Sequence, residues 1–312
     1  MSFTIRSYQT GDFDQVIALW NKCLTRDNIS PSTFQIKVLA DTNFDPKGCF
    51  VAVDKNKIIG FMLGLIRKFP LEGVGMQEKL GWITAFFVHP EYRRQNVAQE
   101  LLNHVEIYFR KNKREEIQVS PYVPNYFFPG VDVDAYADAL EFLKANGYEE
   151  KEQVVGMGNE LQDMIVPERV FEKIEELKKE EIYIKDFKKK YTHSLINFLQ
   201  RVFPGDWVKT IIEKINAGTE DEIIIATRKE EVLGYCQFEG PHFGPFGVSE
   251  KLRGKGIGSI LFWAVVKKMK EHEHHFIWLA WTEGDAARFY REKGDLHQTR
   301  EHVIMSKKLS IL

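Results

Sequence analysis

The stretch FGPFGVSEKLRGKGIGSILFWAVVKKM, residues 243–269, decides the fold. An apolar run ends near Val248, a glycine-rich turn follows, and an apolar-periodic helix begins near Gly258. A helix N-terminus presents about four backbone N–H groups without intrahelical partners, together with a partial positive charge. Gly254, Gly256 and Gly258 lack a Cβ, so the backbone can approach a ligand and take unusual φ values. Arg253 and Lys255 add positive charge. The combination reads as a cradle for a pyrophosphate. Its glycines are spaced GxGxG, which departs from the GxGxxG dinucleotide fingerprint, and no GxxxxGK[ST] loop occurs. A glycine-rich turn serving only chain reversal is the competing reading.

Working outward, the same pattern occurs earlier in the chain, as WITAFFVHPEYRRQNVAQELLNHVEIYF, residues 82–109. Matching Val88 to Val248 places Arg93 on Arg253 and Ala98 on Gly258 without a gap. The repeat extends in both directions. Residues 48–66 (GCFVAVDKNKIIGFMLGLI) and 222–240 (EIIIATRKEEVLGYCQFEG) both read as hairpins, turning at 54–57 and 228–231. Each half starts with a short strand and an amphipathic helix, residues 13–24 and 193–203. Each half ends with a strand, a helix and a glycine, through residues 134–148 and 284–295. Alternating strands and helices argue for mixed α/β layers. Between the copies, residues 167–181 (PERVFEKIEELKKEE) read as a connecting helix opened by proline. The expected organisation is therefore an N-terminal domain over 1–165, a connecting helix over 166–181 and a C-terminal domain over 182–312.

The R-G-K-G-I-G run and the later AARFYREKG resemble the signature and C-terminal motif of the GNAT superfamily of acetyltransferases, one unit per half. The tandem arrangement is similar to that of mycothiol synthases, without a motif that selects their chemistry. The resemblance implies two GNAT-like domains of α/β (α+β) class, each a twisted, mixed, mostly antiparallel sheet flanked by helices. It implies acetyl-CoA as co-substrate, with Phe246, Gly247 and Val248 along the pantetheine. Arg253, Gly254, Lys255, Gly256, Ile257, Gly258 and Ser259 would then hold the phosphates. In the N-terminal half, Val88, Arg93, Arg94, Gln95, Asn96, Val97 and Ala98 occupy the matching positions, with Asn96 where the signature has glycine.

By the same resemblance Tyr290, four residues before Gly294, is the general acid that protonates the leaving thiolate. A tyrosine keeps its proton near neutrality, with a reference pKa of about 10, against about 8.5 for a thiol. The matching residue before Gly147 is Leu143, so the C-terminal half is expected to be the active one. Packing within a helix is the competing reading of Tyr290. Asp206 and Trp207, in the segment FPGDW, could hold an amine by charge and cation–π contact. Glu239 and His242 are candidate general bases, or surface residues. The aromatic segment 122–136 could wall an acceptor pocket or cover a satellite cluster. EHEHH, residues 271–275, lacks metal-ligand spacing, and no metal is expected.

Composition narrows the class. Of 312 residues, 44% are hydrophobic and 28% charged, with a net charge of -2, which suits a soluble globular chain and excludes a general nucleic-acid binder. Three scattered cysteines suit reduced thiols in a cytoplasm. No apolar run approaches the roughly 20 residues of a membrane span. The expected activity is transfer of an acetyl group from acetyl-CoA to a small-molecule primary amine, by a cytoplasmic monomer or homodimer. A non-catalytic acyl-CoA sensor and a protein N-acetyltransferase are the alternatives.

Overall fold

The computed structural model describes residues 3–310, which form two compact units. Unit 1 comprises Met1–Leu71, Gly75–Val154 and Glu301–Leu312; unit 2 comprises Glu72–Val74 and Val155–Arg300.

In unit 1, β1 (Thr4–Ser7) leads to α1 (Phe13–Cys23) and the short α2 (Pro31–Phe34). Next come the hairpin of β2 (Cys49–Asp54) and β3 (Lys57–Leu65), then β4 (Leu80–Val88) and α3 (Val97–Lys111). β5 (Glu116–Val119), the two-residue β6 (Val131–Asp132) and α4 (Ala137–Ala145) precede β7 (Glu149–Glu160). Unit 2 repeats the order. It runs through α5 (Glu168–Lys179), β8 (Ile182–Asp186), α6 (Thr192–Val202), α7 (Trp207–Ala217), β9 (Ile223–Arg228) and β10 (Glu231–Glu239). β11 (His242–Val248), α8 (Ile257–Glu271), β12 (Phe276–Thr282), α9 (Gly284–Gly294) and β13 (His297–Lys308) complete it.

The unit boundaries fall inside β7 and β13, away from the expected connecting helix. The helix expected between the domains is α5, and it lies within unit 2, where Val170 and Leu177 pack into the core around α8. In unit 1 the strand order is β1-β2-β3-β4-β5-β13, so its last strand comes from the end of the chain. β13 supplies β5 with an antiparallel partner, Met305 opposite Val119 and Lys308 opposite Glu116. In unit 2 the order is β7-β12-β11-β10-β9-β8, with the end of β7 pairing antiparallel to β12.

Each sheet is mixed and mostly antiparallel, as expected. The parallel pairs are β4 with β5 and β11 with β12. The hairpins turn where the sequence places them, Asp54 opposite Lys57 and Arg228 opposite Glu231. Helices cover both faces of each sheet, which explains why the central strands are apolar almost throughout. In unit 1, Leu101, Val105 and Phe109 of α3 pack one face, and Trp20 and Phe34 pack the other. In unit 2, Leu261, Phe262 and Val265 of α8 pack one face, and Phe198, Leu199 and Ile211 of α6 and α7 the other. The aromatic segment 122–136 joins the core on the Trp20 face: Phe127 lies 4.6 Å from Trp20, and Tyr122 bonds Asn43 and Asp41.

Candidate active site

Both glycine-type turns have the same backbone. Gly254 and Gly256 lie at φ 81 and 85, and Gly256 begins α8. Arg94 and Asn96 lie at φ 58 and 63, and Asn96 begins α3. Asparagine tolerates the left-handed region better than most residues, which is how the N-terminal turn keeps its shape without glycine.

The sheet of unit 1 parts beside the N-terminal turn. β4 and β5 pair only from Leu80 with Glu116 to Ile83 with Val119. Against β3, Leu63 faces Ala85 while Gly64 faces Ile83, leaving Thr84 as an extra bulged residue at the point of parting. A cavity of about 900 Å³ opens there. Val88, Arg93, Arg94, Asn96, Val97 and Ala98 all border it, and α4 forms its far wall. Gln95 turns aside and donates to the Glu91 carbonyl. Lys22 and Cys23 also border the cavity, unremarked in the sequence; Cys23 Sγ lies 3.4 Å from the Val88 carbonyl.

At the matching place in unit 2, aromatic rings meet. β11 and β12 pair only at His242 and Trp278. Phe246 stacks on Phe289 at 5.7 Å, and a Cβ added at Gly258 would lie 3.2 Å from the Phe246 ring. Phe246, expected to serve a ligand through its backbone, also packs its side chain on Phe289 beside Gly258. The Phe203 ring covers Gly247, where an added Cβ would meet it at 2.3 Å. Val248 ends β11 and Ile257 is buried in the core, while Ser259 is half-buried in the first turn of α8. Lys255 donates to Glu180 at 2.6 Å, and the Lys173 stem lies against Gly256. Arg253 is exposed, 3.6 Å from Glu250.

Tyr290 is 8% exposed among Phe243, Phe246, Phe262 and Phe289, with ring centroids 5.4–6.1 Å away. Burial, and secondarily Cys236, push its phenol well above the usual value. The proton therefore stays on at ordinary pH.

On the opposite face of unit 2, Trp207 stacks on Phe203 at 4.3 Å and lies 5.8 Å from Tyr235. Burial, above all, pushes the Tyr235 phenol far up. Tyr235 Oη and Gln237 Oε1 are buried without hydrogen-bond partners among the described residues. Such a group costs about 1–3 kcal/mol. Sequence reading passed over both residues. Their signal was present: matching Gly60 to Gly234 sets them against Phe61 and Leu63 of the first repeat. Glu239 is exposed at the end of β10, paired in register with His242. Among the described residues no group of three or more His, Cys, Asp or Glu could hold a metal ion. No described helix is long and apolar enough to cross a membrane.

Two turns of this geometry, each joining a parting strand to a helix, agree with the family comparison. The sequence model described as "Acetyltransferase (GNAT) family" matches residues 13–126 and 192–294. The chain belongs to the GNAT acetyltransferase family. Among solved structures this GNAT protein is similar to a GCN5-related glucosamine N-acetyltransferase region of a fungal multi-domain GH3 β-N-acetylglucosaminidase. The TM-score is 0.80 at 21% identity, over 98% of this chain and 38% of that one. It thus spans well under half of that fungal protein. A GCN5-related N-acetyltransferase from Sphaerobacter thermophilus matches with TM-score 0.69 and 18% identity, over 98% and 95% of the two chains. A tandem GNAT protein from the clavulanic acid biosynthesis pathway matches with TM-score 0.66 and 12% identity, over 98% of each. These likenesses are of fold. No curated protein matches the chain in sequence.

Proposed function

We propose that this GNAT protein transfers the acetyl group of acetyl-CoA to a primary amine of a small molecule, and that unit 2 performs the chemistry. The carrying observation is Tyr290, a buried phenol whose neighbours include Phe262 of the helix that the glycine turn opens. The matching residue of unit 1 is Leu143. Rotating two rings can make volume; nothing in unit 1 supplies the missing proton donor at that position.

The turn of residues Arg253, Gly254, Lys255, Gly256, Ile257, Gly258 and Ser259 fits a pyrophosphate, with left-handed glycines and an open helix N-terminus. Phe246, Gly247 and Val248 offer strand backbone to the pantetheine. Tyr290 holds its proton against the sulfur, so the C–S bond breaks as a thiol forms rather than a free thiolate. The incoming amine loses its proton to solvent. Opening this cleft requires rotation of the Phe246 and Phe289 rings, the common scale of change on binding. The three cysteines are free and buried, which supports a reducing, cytoplasmic setting. The likeness to a glucosamine N-acetyltransferase region makes glucosamine an early acceptor to try, beside other small amines.

A second reading places the donor in unit 1, favoured by the 900 Å³ cavity bordered by Val88, Arg93, Arg94, Asn96, Val97 and Ala98. Charge reversal separates the two. Arg253→Glu should raise the KM for acetyl-CoA about tenfold in a free-CoA release assay, and Arg94→Glu should leave it within a factor of two. The opposite pattern assigns the donor to unit 1.

A further inference from the structure

We infer that Tyr235 and Gln237 of unit 2 bind the ammonium end of the acceptor amine, in front of the Phe203–Trp207 wall. The inference rests on unit 2 being the catalytic unit.

Tyr235 and Gln237 are two residues apart on β10 and so share a face of the strand, the one packed by α6 and α7. They are 0% and 1% exposed. A polar atom buried this deeply nearly always has a partner, and one without calls for an explanation. Packing gives none, because the first repeat fills the same two positions with Phe61 and Leu63, both buried. Apolar side chains are therefore compatible with this fold at this place.

The chemistry of the surroundings selects the ligand. Gln237 Oε1 is an acceptor, and the Tyr235 hydroxyl accepts as well as donates. The Trp207 indole stands 5.8 Å from the Tyr235 ring, itself stacked on Phe203. Carbonyl, hydroxyl and aromatic face together suit a compact cation with three N–H donors. A primary ammonium has that form. Gln237 also stands at the register break between β10 and β11, where Cys236 faces Phe246 and Phe238 faces Phe243. The strand beside it is bulged there, and its ladder constrains the site least. Phe203, Asp206 and Trp207 are half-buried, so this segment separates the site from solvent.

The test uses Gln237→Leu and Tyr235→Phe, each copying the first repeat. Binding of glucosamine, putrescine and lysine is measured by calorimetry on the whole chain, with N-acetylglucosamine as a control lacking the ammonium. Wild-type protein should bind at least one of the amines and not the control. Each variant should weaken that binding by roughly tenfold or more, the worth of a charged hydrogen bond. Acetyl-CoA affinity should stay unchanged, and melting should be no lower than wild type, since an unpartnered group has been removed. Amine binding unchanged in both variants overturns the proposal. So does the absence of any amine binding by the wild type, or a parallel loss of amine binding, acetyl-CoA binding and Tm. Failure of the unit 2 reading is recognised separately, by an Arg253→Glu protein whose acetyl-CoA affinity is that of wild type.

Discussion

Asn96 and Gly256 stand at the same step of the two repeats, each starting a fifteen-residue helix from the left-handed region, at φ 63 and 85. Asn96→Gly should be neutral or slightly stabilising. Asn96→Ala places an ordinary Cβ in that region and should cost about 1–2 kcal/mol in urea unfolding. An alanine variant as stable as wild type would show that the turn readily adopts another backbone.

The edge of unit 1 depends on the far end of the chain. Met305, Ser306, Lys307 and Lys308 pair with β5, and Lys307 Nζ also reaches Glu106 at 2.7 Å. Ending the chain at Arg300 should expose the amides of β5 and speed their hydrogen exchange by orders of magnitude, while β9 and β10 stay protected. Unchanged exchange in β5 would mean that unit 1 closes its sheet without this strand.

His89, directly after β4, is buried with its Nε2 2.9 Å from Lys22 Nζ. Lys22 Nζ carries donors only, so Nε2 accepts in this contact. Burial first, then Lys57 and Lys22, hold its pKa below the ordinary 6.5. A depressed pKa gives stability that is full above the unfolded value and lost as pH falls through the folded one. Melting of unit 1 should therefore drop as pH goes below about 6.5, and His89→Gln should flatten that slope. Equal slopes in both proteins would remove His89 from the account.

The repeat, the two hairpin turns and the glycine turn were legible because each depends on local spacing and backbone demands. The exchange of last strands was not, since β7 and β13 carry the same pattern and only their distant partners differ. The repeat singled out Val88, Arg93, Arg94, Asn96, Val97 and Ala98, which border the cavity, but the bulge at Thr84 looks ordinary in sequence. Phe246 shows the limit of a motif: it fixes a backbone position and leaves the ring's destination to Phe289, forty-three residues on. Tyr235 and Gln237 lie in a strand read as simply β-rich, and their lack of partners emerges only in three dimensions.

The central claim is that Tyr290 donates its proton to the departing sulfur. Tyr290→Phe keeps the ring among Phe243, Phe246, Phe262 and Phe289 and removes only the hydroxyl. The hydroxyl matters as charge develops on sulfur, so its loss belongs in kcat more than in ground-state binding. Release of free CoA, measured where chemistry limits the rate, should fall by roughly 10²–10⁴-fold with acetyl-CoA affinity little changed. Wild-type turnover by the phenylalanine variant would contradict the account and leave Tyr290 as a packing ring.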